Sequence, residues 1–144
     1  MELTAALIDE LVHRARDASR HAYAPYSRFH VGAAVLADGS AIHTGANVEN
    51  ASYGLSICAE RSAIFRAIGE GARSIEAVAV YTPTPRPVTP CGACRQVLAE
   101  FGPRALVICC TNDPGHSRRY TVADLLPAAF GSDDLLSELP RRGE

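Results

Sequence analysis

The sequence predicts an α/β fold: a three-layer α/β/α sandwich around one mixed, five-stranded sheet. Three observations lead there. The N-terminal stretch carries apolar residues at helical spacing, an Asp-Gly pair separates two apolar runs, and beyond it helical and strand-like segments alternate. At 144 residues the chain has the length of one ordinary domain, read here as a single unit over 1–144. Such a chain buries roughly 70% of its unfolded surface, so it needs neither disulfide nor metal merely to fold.

Leu3, Ala6, Leu7, Leu11 and Ala15 predict a first helix over about 3–20, ending before Pro25. Strands are expected at 29–36 and 41–46, joined through Ala37-Asp38-Gly39-Ser40, where Asp-Gly favours a tight hairpin. CAERSAIFRAIG predicts a helix over 58–69 with Gly69 and Gly71 as stops, followed by a Val-rich strand at 75–81. Pro83, Pro85, Pro87 and Pro90 then forbid regular structure, and CGACRQVLAEF opens a third helix near Pro90 that Gly102-Pro103 ends. ALVICC at 105–110 is a buried strand. A turn at Asn112-Asp113-Pro114-Gly115, a short strand at 119–122 and short helices at 122–126 and 132–139 complete the chain.

Charge narrows the function classes. The formal net charge is −2, and the 14 basic residues, all arginine, are scattered without a run that would grip a polyanion. A nucleic-acid polymer is therefore a poor partner. No apolar run approaches the roughly 18 residues of a membrane span, so no membrane association is expected. Early acids at Glu2, Asp9 and Glu10, on a helical pattern, differ from a basic segment followed by an apolar core. A cytoplasmic location follows as the expectation.

The five cysteines carry the chemistry. An odd count with Cys91/Cys94 and Cys109/Cys110 in tight pairs argues against a secreted disulfide framework. Cys109 and Cys110 fall in an apolar strand and read as packing thiols. Cys91-Gly92-Ala93-Cys94 puts two thiols at i and i+3, on one face of a helix's first turn. By itself this spacing suits a redox pair, half of a structural zinc site or part of a catalytic one. Cys58, 33 residues upstream, also opens a predicted helix. Three sulfurs leave a zinc shell one position short, as a catalytic site requires. His13, His21, His30, His43 and His116 are scattered and read as ordinary surface or core histidines. Glu60 adds the base that water activation needs. On a formed helix, i and i+2 face opposite ways. Cys58 and Glu60 can therefore share a pocket only if Cys58 lies at the very start of the helix, or if the substrate sits between their two approaches.

Together, CAE at 58–60, PCGAC at 90–94, YAPYSRFHVGAAV at 23–35 and TGANVENASYG at 44–54 resemble the small, all-cysteine cytidine deaminases, over about 23–130. A ligand set of three cysteines with a non-ligand Glu is a known variant of the zinc deaminases. Cys58, where nucleic-acid editing members generally carry His, favours the nucleoside branch.

The resemblance implies one zinc ion per chain on Cys58, Cys91 and Cys94, with Glu60 as the catalytic proton shuttle. It places Asn47, Val48 and Glu49 beside the ribose, Phe29 beside the pyrimidine and the Ala59 backbone at the base's polar edge. Tyr53 and Phe130 match positions that complete a neighbour's pocket in a homotetramer. Arg61, ahead of its competitor Arg95, would donate to ligand sulfurs and offset the −1 charge of zinc with three thiolates. The implied activity is deamination of cytidine and deoxycytidine, as free nucleosides, in pyrimidine salvage. Two alternatives stand beside it: a relative acting on a cytosine-containing antibiotic, and a non-catalytic zinc module or thiol redox protein.

Overall fold

A computed structural model describes residues 3–138. Helix α1 (Ala5–Ala18) begins at Thr4, whose hydroxyl accepts the Leu7 N–H at 3.2 Å, a side-chain N-cap. Its inward row is Ile8, Leu11, Ala15 and Ala18. Ala6, expected on that row, is exposed, and Ile8 takes its place. The helix ends two residues earlier than the spacing suggested and passes into a 3₁₀ turn at Ser19–His21.

The sheet consists of β1 (Gly32–Ala37), β2 (Ala41–Ala46), β3 (Ile75–Tyr81), β4 (Leu106–Cys110) and β5 (Arg118–Thr121). Their order is β2-β1-β3-β4-β5; only β3 and β4 are parallel. Parallel neighbours need a crossover, supplied by α3 (Gly92–Phe101), while α2 (Ala59–Gly69) joins β2 to β3. Asp38 and Gly39 in the hairpin take φ of 48° and 83°, which is why Asp-Gly suits this turn.

One boundary differs instructively. A strand was expected from Phe29, yet β1 starts at Gly32. Arg28 adopts a left-handed φ of 58°. Beyond it, the Asn47 amide takes the Val31 N–H at 2.9 Å and donates to the Phe29 carbonyl at 2.7 Å. A side chain thus occupies the positions a neighbouring strand would fill.

The two-residue period of the strands divides the core. Ala33, Val35, Val78, Val80, Val107 and Cys109 pack with Ala59, Ala63, Ile64, Ala67 and Leu98 of α2 and α3. Ala34, Leu36, Ala77, Ala79, Tyr81, Ile108 and Cys110 face α1. The result is the three-layer sandwich. Cys109 and Cys110 are therefore buried on opposite faces, and burial pushes their thiols up to about 12 and about 11. The remaining pieces are α4 (Val122–Leu125), closed by a reciprocal Thr121–Asp124 capping box, and α5 (Ser132–Glu138). The expected end of α5 at Leu139 lies outside the described residues.

Register decides where α2 and α3 begin. Gly32 at the start of β1 pairs with Ala46 at the end of β2 and with Tyr81 at the end of β3. Both helices are entered from that one edge. Gly45, one residue before the end of β2, lets α2 lie directly against the sheet: a Cβ there would stand 2.4 Å from Ala63 N and 2.8 Å from Ala59 O. These are backbone atoms of α2 and cannot rotate away. Gly45→Ala should therefore destabilise the protein by about 1–3 kcal/mol or more, read as a lower urea midpoint with an unchanged denaturant slope.

Candidate metal centre

Cys58 and Cys91 each occupy the residue just before a helix, with extended backbones (φ −75°, ψ 155° and φ −67°, ψ 169°), and neither side chain caps its helix. Both thiols are free to turn toward each other, and their Sγ atoms stand 3.7 Å apart. Cys94, buried in the first turn of α3, brings its sulfur to the same place; all three lie within 4.8 Å of one another. Sulfurs about 2.3 Å from a shared zinc in a tetrahedron would be separated by about 3.8 Å. The donor set and its spacing fit a zinc ion. Among the described residues, no other group of three or more His, Cys, Asp or Glu could hold a metal ion.

Electrostatics favours thiolate here. Two helix N-termini point positive ends at the sulfurs, and Arg61 Nη2 donates to Cys58 Sγ at 3.4 Å. The Cys94 thiol, and then Arg61, bonded to Cys58, lower its thiol to about 5. Cys94, facing that thiolate in a buried setting, keeps its proton far more tightly than a free thiol. The Arg61 Nε is buried and has no acceptor among the described residues. Arg95 turns elsewhere: its guanidinium donates to Pro90 O, Leu125 O and Thr89 Oγ1 at 2.7, 2.7 and 2.8 Å.

Glu60 lies in the first turn of α2 and is only 5% exposed. Burial raises its carboxyl above the usual carboxylate range, and the nearby Cys58 charge adds to that. Because Cys58 precedes the helix proper, the obstacle posed by the i, i+2 spacing disappears: Cys58 leaves from an extended residue and Glu60 from a helical one. Both line one cleft.

That cleft, of about 270 Å³, is bordered by Phe29, Asn47, Glu49, Cys58, Ala59, Glu60 and Cys91. It is near the lower end of small-molecule pockets, about 300 Å³. A bond from the Ser27 side chain holds the Glu49 carboxyl below the usual range, joined by the Ser27 and Tyr26 N–H groups, which Oε1 accepts at 3.1 and 3.0 Å. Its second oxygen accepts no main-chain N–H among the described residues. Asn47, although at the cleft, already uses one acceptor site and one donor on Val31 and Phe29, leaving one N–H and one lone pair. Among the described residues, no arginine or histidine lines the cleft.

Three other expected residues lie outside the cleft wall, of which Tyr53 and Phe130 are expected at a neighbour's pocket and not at this one. Val48 is 46% exposed, and both its backbone groups pair with Ile57, so it spaces Asn47 from Glu49 and does not border the cleft. Tyr53, 76% exposed, packs edge-on against Tyr26 at a centroid distance of 6.0 Å, in an adjoining hollow that shares Glu49. Phe130 is also exposed and away from the cleft, its carbonyl accepting from Gln96 Nε2 at 2.8 Å. The sequence reading missed Ser56, Thr82, Val88 and Thr89, all on the wall. The last three belong to the proline-dense loop after β3, and loops beyond strand C-termini are where α/β folds bind ligands; that position was the available signal.

The family model described as "Cytidine and deoxycytidylate deaminase zinc-binding region" matches residues 6–110. The cytidine deaminase of Sporosarcina psychrophila is 47% identical over 128 residues, spanning 89% of this chain and 94% of the relative. That of Halalkalibacterium halodurans is 50% identical over 125 residues, 87% and 95% of the two chains. Among solved structures, the Burkholderia pseudomallei cytidine deaminase superposes with a TM-score of 0.81 at 46% identity, covering 85% of this chain and 98% of that one. With its cysteines gathered as such a site demands and its fold matched over most of its length, the chain belongs to the zinc-binding cytidine and deoxycytidylate deaminase family.

Proposed function

We propose that this protein is a zinc-dependent cytidine deaminase that hydrolyses cytidine and deoxycytidine to uridine and deoxyuridine plus ammonia. One observation carries the reading: Cys58 and Cys91 line one cleft with the buried carboxyl of Glu60, and the buried Cys94 brings its sulfur to theirs. The cytidine deaminase relatives, similar over most of both chains, support it.

Zinc held by the three thiolates supplies the Lewis acidity that makes water a nucleophile near neutral pH. Glu60 takes a proton from the attacking water as its oxygen bonds to C4 of the base, and passes that proton to N3. The proton of the new C4 hydroxyl then travels by the same carboxylate to the amine. The C4–N bond breaks and ammonia leaves. Burial suits this role, since it raises the carboxyl toward the pH at which a group both accepts and returns a proton. Phe29 stands against the ring, and a free N–H at the helix start at Ala59 reads the base's acceptor edge. The second Glu49 oxygen accepts from a ribose hydroxyl, joined by the remaining Asn47 N–H. Arg61 draws electron density from the sulfurs and offsets the charge of three thiolates.

We infer further that the chain acts as a single domain over 1–144, on free nucleosides, in cytoplasmic pyrimidine salvage. No helix among the described residues is long and apolar enough to cross a membrane. The absence of arginine and histidine from the described cleft walls and the Glu49 carboxylate both disfavour phosphate. A homotetramer is supported by the exposed rings of Tyr53 and Phe130, at 76% and 58%, which another copy would cover.

Three measurements bear on these points. Purified protein should form uridine from cytidine and lose that activity to a chelator, with cytosine in a single-stranded oligonucleotide left essentially untouched; efficient oligonucleotide editing would reverse the substrate reading. Glu60→Gln should retain zinc and lose about 10²–10⁴-fold in kcat, and near-normal turnover would remove Glu60 from the chemistry. Light scattering should give four times the chain mass, against which an active monomer at assay concentration would count decisively.

A further inference from the structure

Three cysteines share the metal centre, but the fold restrains them unequally. Cys58 is flanked by the Val48–Ile57 bridge on one side and receives Arg61 on the other. Cys94 is buried within α3. Cys91 is exposed and does not cap its helix. It also ends a loop in which Pro83, Pro85, Pro87 and Pro90 leave few main-chain donors.

Arg95 supplies the missing restraint. Its backbone N–H bonds the Cys91 carbonyl at 2.9 Å. Its side chain reaches back to Pro90 O at 2.7 Å and Thr89 Oγ1 at 2.8 Å, and across to Leu125 O at the end of α4 at 2.7 Å. The guanidinium thus ties Thr89 and Pro90, the two residues before Cys91, to the end of α4 through one planar, rigid group, while the Cys91 carbonyl is held by the first main-chain bond of α3.

The same bond fixes a proton. A guanidinium only donates, so Thr89 Oγ1 must be the acceptor and keeps its own hydrogen to give away. No described residue accepts it, and Thr89 lines the cleft. We propose that Arg95 is a positioning residue that fixes Cys91 for the metal and orients the Thr89 hydroxyl as a hydrogen-bond donor to the bound nucleoside. Thr89 then contributes to recognition, and Arg95 acts only through its neighbours.

The proposal rests on Cys91 being a metal ligand, so Cys91→Ser is the reference: retention of zinc as firmly as in the wild type would refute that ligand role and the proposal with it. With that role intact, zinc transfer from loaded protein to a chromophoric chelator should be about tenfold faster or more in Arg95→Met, within the 10–100-fold typical of groups that hold ligands. Arg95→Lys, able to reach Pro90 O, should recover part of the difference. Thr89→Val, which leaves Arg95 bonded to Pro90 O and Leu125 O, should release zinc much more slowly than Arg95→Met while KM for cytidine rises about fivefold, the loss of one neutral hydrogen bond. Wild-type zinc release in folded Arg95→Met would overturn the positioning role. Unchanged KM and kcat in Thr89→Val would overturn the donor role. Should Arg95→Met not fold, wild-type zinc release in Arg95→Lys serves as the overturning result.

Discussion

The meeting of two helix N-termini over three sulfurs is the constraint on which the rest of this structure depends. Thiolates are costly to bring together: each sulfur repels the next, and only positive charge relieves the repulsion. Here it comes from the unpaired N–H groups at the starts of α2 and α3, from the Arg61 guanidinium on Cys58 and, when bound, from zinc. Thus Cys58 and Cys91 precede their helices: an extended residue at a helix start projects its side chain across the positive end, while one inside the helix would project it to the flank.

The sheet serves that constraint. Two helices can begin at one spot only if the strands leading into them end at one edge, as the pairing of Gly32 with both Ala46 and Tyr81 provides. Small residues then let α2 lie low on the sheet. Gly45, Ala59 and Ala63 form a close backbone approach, whereas a larger side chain would lift the helix and with it Cys58 and Glu60. Fold and site are therefore coupled through packing at the start of α2.

Glu60 shows why a buried carboxyl is tolerated. Taking it from water raises its affinity for a proton, which weakens the fold at neutral pH and suits the proton-shuttle role proposed for it. At the cleft mouth the opposite holds for Glu49, which the Ser27 side chain and two backbone N–H partners keep ionised. Two carboxyl groups in one cleft thus shift in opposite directions because one is dry and the other hydrogen-bonded.

Local patterns determined a good deal. Helical spacing, the Asp-Gly turn and Val-rich runs place the elements to within a few residues, and Cys58-Ala59-Glu60 with Cys91 to Cys94 marks the chemistry. These are short-range signals, each contained in one turn or one strand. What tertiary structure decided is everything that depends on partners distant in the chain. Asn47 displaces a strand from Phe29 to Val31 because its amide imitates a neighbouring backbone, which no pattern around Phe29 reveals. Val48 leaves the cleft because its backbone pairs with Ile57 and its side chain is exposed. By residue chemistry alone Arg61 and Arg95 compete, since each directly follows a site residue, and the resemblance favours Arg61. In three dimensions Arg61 donates to Cys58 Sγ, whereas Pro90, Thr89 and Leu125 capture the Arg95 guanidinium with oxygens from a loop and from the end of α4, partners that no local pattern around Arg95 announces.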